Sequence, residues 1–469
     1  MTVGADRGRP RVLIISHDLV GERMAGPGIR YWELSRVLSA SCAVTLAAPA
    51  AGVSSAPDGV RLATYQPGVA ASVEPLVAQA DVVLAYGYLL YQFPFLADLG
   101  IPLALDLYIP GPTESLPLNA ARPLDWQEAQ QQADLALLGR IAAAGDFFLC
   151  ASERQRDFWL GFLGAAGRLA PSIFARDPSL RSLIDVVPFG LPAEAPQRTG
   201  PLYKGVHPGI GPQDQLIVWG GGIWDWLDPL TLIRAFARIA PAWPAARCIF
   251  PGRQHPWREQ VPAMPMVQRA QALVRELGLE ERVFFGDWVP YARRADYLLE
   301  ADIGVSLHPD SVETRFAFRT RILDYIWAGL PMIVSRGDVL AKVVAAHDLG
   351  RVVDYGDIDG VAAALSDLLG DAQARTRRRE AFAAVAAGYT WSACARPLAA
   401  FCRRPQFAAD KARRRPAPVH AEPWALAAEL ERTRRQVQEL DALVQGYRHG
   451  RVMRLLDWFA RLHRKGAGT

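Results

Sequence analysis

The chain has 469 residues, too many for one core, and 51% of them are hydrophobic, enough apolar surface for two domains of ordinary size. No apolar run approaches the ~20 residues needed to cross a bilayer, and the opening MTVGADRGRPR lacks an apolar signal core, so the expected location is the cytoplasm. The formal net charge of +4 is unevenly spread: from Arg403 onward there are 15 Lys/Arg against 7 Asp/Glu, and before it 37 against 41, so a mildly acidic body carries a basic tail.

Residues 1–9 are expected to be disordered, and an N-terminal domain is predicted over 10–195. Within it, Val12 to Ile15, Val44 to Ala48, Val82 to Ala85, Leu103 to Leu105 and Phe147 to Cys150 read as buried strands, with a helix around Tyr31 to Leu38. Strands alternating with helical patterns indicate a parallel sheet covered on both faces. After the first strand, SHDLVGERMAGPGIR brings Gly26, Pro27 and Gly28 into a helix whose first turn carries Arg30. A glycine-rich turn of this kind lets backbone approach a phosphate, but it departs from GxGxxG spacing and by itself reads as a structural turn. His17 in the same loop and Asp106 after the strand Leu103 to Leu105 read from their local sequence as ordinary polar loop residues.

Val187 to Pro212 has several prolines and little periodicity and reads as a hinge, with the linker at 196–213. The strand and helix alternation then restarts over 214–402: Leu216 to Trp219, a helix around Thr231 to Ile239, Cys248 to Phe250, a helix to Leu277, Val283 to Phe285 and Ile303 to Leu307. The loop after the first of these strands is GGGIWDWLDP. Asp228 followed by Pro229 is explained as an N-cap and first helical residue. Gly220, Gly221 and Gly222 read either as a tight turn or as close approach of main chain to a ligand, with Trp224 and Trp226 walling the cleft. Ligands of open α/β sheets bind beyond the C-terminal strand ends, so two such domains face each other across a cleft.

The most informative segment is Glu313 to Pro331, ETRFAFRTRILDYIWAGLP, a short helix between two buried strands. Arg319, Thr320 and Arg321 fall at its N-terminus, where free N–H groups, the helix dipole and guanidinium forks all favour an anion. Asp324 lies one step on; it serves either a ligand or merely the helix, as a partner of Arg321. Asp357-Ile358-Asp359 has DxD form but reads as an N-cap. His255 and His308 lack paired spacing, and Cys42, Cys150, Cys248, Cys394 and Cys402 lack CxxC spacing, so no metal, cofactor or disulfide framework is expected.

Taken in order over roughly residues 10 to 395, the pieces GPGIR, ASERQRDF, VVPFGLP, VFFGDWVPYARRADYLLEADIGVSLHPD and ILDYIWAGLP resemble family 4 of the retaining glycosyltransferases. The resemblance implies the α/β GT-B fold of two facing Rossmann-like domains, an acceptor-side first domain and a donor-side second one. It further implies transfer of a sugar from a nucleoside diphosphate sugar to a hydroxyl, with retention and without metal, in building a surface polysaccharide or glycolipid on a sugar or lipid-linked acceptor. Asp324 occupies the position of the family's ribose-binding Glu, and Thr320-Arg321 matches a branch with Ser/Thr-Lys before that residue, so Arg321 and Arg319 are the expected diphosphate clamp; Gly26, Gly28 and Arg30 correspond to the first-domain phosphate loop. The family often has a reaction-centre His after the strand corresponding to Leu103 to Leu105; this chain has Asp106 there, so the resemblance makes Asp106 a candidate contact of donor sugar or acceptor, with His17 a candidate acceptor-side group. Two further departures stand out. Phe316 replaces the family's first Glu, leaving Glu313 and Asp310 as nearby substitutes for holding donor-sugar hydroxyls. The stretch with Gly221 and Gly222 has no basic residue where many members have Arg and Lys, with Arg253 in PGRQHP a further candidate. Alternatives are a GT-B sugar-nucleotide epimerase or a noncatalytic nucleotide-binding scaffold.

Beyond a basic linker at 403–423, the tail at 424–469 reads as helical. Leu426, Leu430, Thr433, Val437, Leu440, Val444 and Tyr447 form a heptad seam suited to a homodimer over 426–447 or to packing on the body. At 450–465, apolar residues with Trp458 set against Arg454, Arg461, Arg464 and Lys465 suit either an anionic membrane surface, making the protein peripheral, or a docked helix. Nucleic acid is not an expected partner.

Overall fold

The computed structural model describes residues 8–50, 56–258, 261, 264–413 and 440. In its first half, β1 (Arg11–Ile15), β2 (Ala43–Pro49), β3 (Val60–Tyr65), β4 (Val82–Tyr86), β5 (Leu103–Asp106), β6 (Phe147–Cys150) and β7 (Ile184–Val186) form one parallel sheet in the order β3-β2-β1-β4-β5-β6-β7. In its second, β8 (Gln215–Val218), β9 (Ala246–Phe250), β10 (Val283–Phe285), β11 (Ile303–Ser306), β12 (Met332–Ser335) and β13 (Gly350–Val353) form another, in the order β10-β9-β8-β11-β12-β13. Every predicted apolar run is a strand. The additional strands β3, β7 and β13 all lie at sheet edges, where incomplete cover removes the continuous apolar run that marks an interior strand.

Helices cover both sheets, and their caps agree with the sequence: Asp228 accepts the N–H of Thr231 and Asp357 that of Gly360. All five cysteines are buried and free. The crossover between domains is irregular but tied down, because the buried carboxylate of Glu300 accepts the N–H groups of Leu202 and Tyr203, each at 2.8 Å, and pairs with Arg198 at 2.5 Å. Among the described residues no helix is long and apolar enough to cross a membrane.

The expected boundary at 402 needs correction. Leu191 and Thr390 form a β-bridge, Trp391 packs on Phe189 with ring centroids 4.6 Å apart, and Phe401 stacks on Phe147 at 4.9 Å. Asp410, inside the expected 403–423 linker, is buried against Arg168 at 2.6 Å. The chain therefore returns to the first domain and stays packed there through the start of that stretch. An apolar path through Phe189, Leu191 and Trp391 joins the cores of the two domains. The tail features predicted over 426–447 and 450–465 lie outside the described residues, apart from position 440.

Gly28 sits in the first turn of the Gly26–Ser39 helix, where a Cβ would stand 2.1 Å from the carbonyl oxygen of Leu19. Its glycine thus serves close packing of helix on loop. Gly28→Ala is expected to destabilise the protein by about 1–3 kcal/mol and lower the melting temperature. Gly26→Ala, where nothing lies within 4 Å, should shift stability by no more than ~0.5 kcal/mol.

Candidate active site

The C-terminal ends of both sheets open onto one cavity of about 560 Å³ between the domains. Bonds across the interface hold its walls together. The indole N–H of Trp288 donates to the Met24 carbonyl at 3.0 Å, the Tyr291 hydroxyl to Glu33 at 2.8 Å, and the Tyr108 hydroxyl to the Phe318 carbonyl at 3.3 Å. Phe316 takes part as well: its carbonyl accepts the Gln155 amide at 2.9 Å and its ring lies 5.1 Å from that of Phe158. The residue standing where an acid was expected therefore makes an apolar contact between domains.

On the first-domain wall, Arg30 and Asp106 form a buried bidentate pair, with Nε to Oδ2 at 2.6 Å and Nη2 to Oδ1 at 3.1 Å. Arg30 also donates to the carbonyls of Val187 and Pro188, and Asp106 accepts from the Tyr31 hydroxyl and the Tyr108 N–H. Arg30, expected beside the phosphates, and Asp106, expected beside the substrate, both line the cavity, and their hydrogen-bonding capacity is largely taken up by each other and by backbone. His17 keeps its cavity position, stacked on Tyr86 at 4.2 Å, and its Nδ1 is buried without a partner. Burial lowers its basicity, so the imidazole is neutral at neutral pH.

On the second-domain wall, Gly221 has φ +76° and open space where a Cβ would be, so backbone is presented directly to the cavity. The Gly220 N–H is held by the Tyr325 hydroxyl at 2.7 Å. The Gly222 carbonyl accepts from Arg321 Nη2 at 2.9 Å. Trp224 and Trp226 stack at 5.2 Å and line the cleft. Arg319, Thr320, Arg321 and Asp324 line it too, the last three on the Thr320–Trp327 helix.

Arg321 is the exceptional group. Its guanidinium lies 4.9 Å above the Trp219 ring, and among the described residues Nη1 is buried without a partner and no carboxylate lies within ion-pairing distance. Burial draws it down to about 10, helped by the like charge of Arg319. It remains a cation at neutral pH and lacks a counter-ion. Arg319 is less available, since its Nη2 donates to Glu313 and its backbone N–H to Asp338, although its Nε is buried without a partner. Asp324 stands 3.6 Å from Arg294, whose guanidinium lies between the rings of Tyr291 and Trp327 at 4.0 and 4.7 Å. Burial raises the Asp324 carboxyl, and Arg294 and Arg321 oppose the rise.

Four predicted residues lie outside the cavity wall. Glu313 is buried against Arg319, Asp310 is exposed, Gly28 packs on Leu19, and Arg253 points to the surface against Asp287 at 3.0 Å. Conversely, Tyr86, Tyr108, Glu114, Trp288, Tyr291 and Arg294 line the cavity and were not singled out. The only signal for Arg294 was the ARRADY run, and nothing marked Glu114 in a proline-rich stretch. Among the described residues no group of three or more His, Cys, Asp or Glu is arranged to hold a metal ion.

With this geometry in place, the likenesses to known proteins become informative. Residues 214–371 match the family model described as glycosyl transferases group 1, which spans the second sheet and its cavity wall. Sucrose-phosphate synthase from Thermosynechococcus elongatus superimposes with a TM-score of 0.62 at 17% identity, covering 84% of this chain and 99% of that one. Anabaena HepE in complex with UDP-glucose gives 0.57 at 14%, covering 83% and 98%. An E. coli structure titled trehalose-6-phosphate, bound with UDP-2-fluoro glucose, also gives 0.57 at 14%, covering 85% and 100%. A search of curated protein sequences gave no match. The fold is GT-B.

If Asp106 is the counter-ion of Arg30 rather than a free carboxylate, Asp106→Asn leaves a charged guanidinium buried and should cost about 3–5 kcal/mol in denaturant unfolding. A change under ~0.5 kcal/mol, ordinary for a free surface carboxylate, would contradict that role.

Proposed function

We propose that the protein is a glycosyltransferase that binds a nucleoside diphosphate sugar in the interdomain cavity and transfers the sugar to a hydroxyl acceptor. The observation that carries this reading is Arg321, a buried cation with a free Nη1 and no acidic partner, at a helix N-terminus beside Asp324. Such a site wants an anion. A diphosphate against Arg321, the first N–H groups of that helix and the open backbone of Gly221 would receive both charge and hydrogen bonds. Asp324, kept in place by Arg294, then accepts ribose hydroxyls. The group 1 match over 214–371 and the UDP-sugars named for the HepE and E. coli structures support the same donor class.

The protein's chemical contribution is orientation together with stabilisation of the departing diphosphate. Because guanidiniums supply the positive charge, we infer no need for a divalent cation. Arg294 takes the supporting place that sequence gave to Arg253. Retention of configuration and a sugar or lipid-linked acceptor of surface polysaccharide or glycolipid assembly complete the proposal; both rest on the family resemblance.

In a thermal-shift screen of UDP-, GDP- and dTDP-glucose, one donor should stabilise the protein, with EDTA leaving the shift unchanged. Arg321→Ala should weaken that donor by about 1.5–3 kcal/mol, roughly ten- to a hundredfold. An undiminished shift in the variant would remove Arg321 from the phosphate site.

A further inference from the structure

We propose that Glu114 is a catalytic residue of this site, the group that accepts the proton of the acceptor hydroxyl; the assignment rests on the glycosyl-transfer reading above. Four carboxyl side chains line the cavity: Asp18, Asp106, Glu114 and Asp324. Three are answered by basic groups, Asp106 by Arg30 at 2.6 Å, Asp18 by His255 at 3.6 Å and Asp324 by Arg294 at 3.6 Å. Among the described residues Glu114 alone of the four has neither an ion pair nor a side-chain hydrogen bond. It belongs to the first-domain wall, whereas Arg319, Thr320 and Arg321 belong to the second.

The side chain is carried over the cavity by the first turn of the Gly111–Asn119 helix. That turn is seated firmly: Thr113 Oγ1 donates to the Pro110 carbonyl at 2.8 Å, and a Cβ on Gly111 would fall 2.0 Å from the Tyr88 hydroxyl oxygen. Facing Glu114 are Tyr86 at the end of β4, Tyr88 just after it, Tyr108 from beyond β5, and Glu313 and Arg319 from the second domain. Burial and the negative charge of Glu313 push the carboxyl up to about 7, and Arg319 draws it partly back. A base poised near the working pH gives a useful fraction of proton acceptor together with driving force for the transfer.

The step balances without further reagents. The acceptor oxygen bonds to the anomeric carbon, and the bond from that carbon to the diphosphate oxygen breaks, its electron pair leaving with the nucleoside diphosphate beside Arg321. The hydroxyl proton passes to the Glu114 carboxylate, which later returns it to water. This assigns the proton and leaves the face of attack to the donor geometry.

The test uses the full-length protein with whichever of UDP-, GDP- or dTDP-glucose gives a thermal shift, and follows release of the nucleoside diphosphate with water as acceptor across pH. In the wild type, release should rise about tenfold per pH unit and level off near 7, the range to which Glu114 is raised. Glu114→Gln should keep the donor's thermal shift yet lose about 10²–10⁴-fold in rate, together with the pH limb. Glu114→Asp, which keeps a carboxyl, should restore the limb at reduced rate and covers the case in which the Gln variant does not fold. A Gln variant that retains the limb, an Asp variant that lacks it, or loss of the donor's thermal shift in a folded Gln variant overturns the assignment. If no donor shifts the wild type, or a donor binds without turnover, the glycosyl-transfer reading itself fails and this role falls with it.

Discussion

A buried guanidinium must be answered by negative charge or hydrogen-bond acceptors, because the ion keeps its proton and loses its water on burial. Four arginines line the interdomain cavity, Arg30, Arg294, Arg319 and Arg321. Arg30 is answered by Asp106, Arg294 by Asp324 and Arg319 by Glu313. Arg321 has one backbone carbonyl and one indole face. Among the described residues the central cleft thus carries a positive charge that is incompletely compensated, which is why an anionic ligand is proposed for it.

The other features of the cleft follow from how that cation is held. Parallel sheets direct their C-terminal loops to one end, and in each half the segment after the first strand carries a glycine where backbone comes close to something: Gly28, in the first helical turn, to the Leu19 carbonyl of the preceding loop, and Gly221 to the cavity. Aromatic donors, Trp288, Tyr291 and Tyr108, join the two walls through single hydrogen bonds to backbone or carboxylate across the interface. Their rings add apolar surface to the cavity while their polar atoms are satisfied across the interface.

Much of the fold was legible in the sequence because interior strands of a doubly covered parallel sheet must be apolar throughout; runs such as FFLC in β6 and MIVS in β12 allow little else. Three of the four edge strands escaped, since one exposed side permits residues such as Arg61 in β3, whereas the edge strand β10 kept an apolar run. At the site, Arg321, Asp324 and Gly221 were recognisable because helix starts and glycine turns are local features with local signatures. The pairing of Arg30 with Asp106 escaped for a complementary reason: they lie 76 positions apart, and no local pattern shows that one neutralises the other.

Sequence by itself indicated the two-sheet architecture, the crossover and the helix caps, and it grouped Arg319, Arg321 and Asp324 at one helix start, each of which depends on residues a few positions apart. Tertiary structure alone decided which charges cancel. It paired Arg30 with Asp106 and Arg319 with Glu313, brought Arg294 to Asp324, turned Phe316 toward Phe158, and left Glu114 and Arg321 facing the cavity without ionic partners among the described residues. Charge compensation acts through space over a few ångströms, and distance along the chain carries almost no information about it.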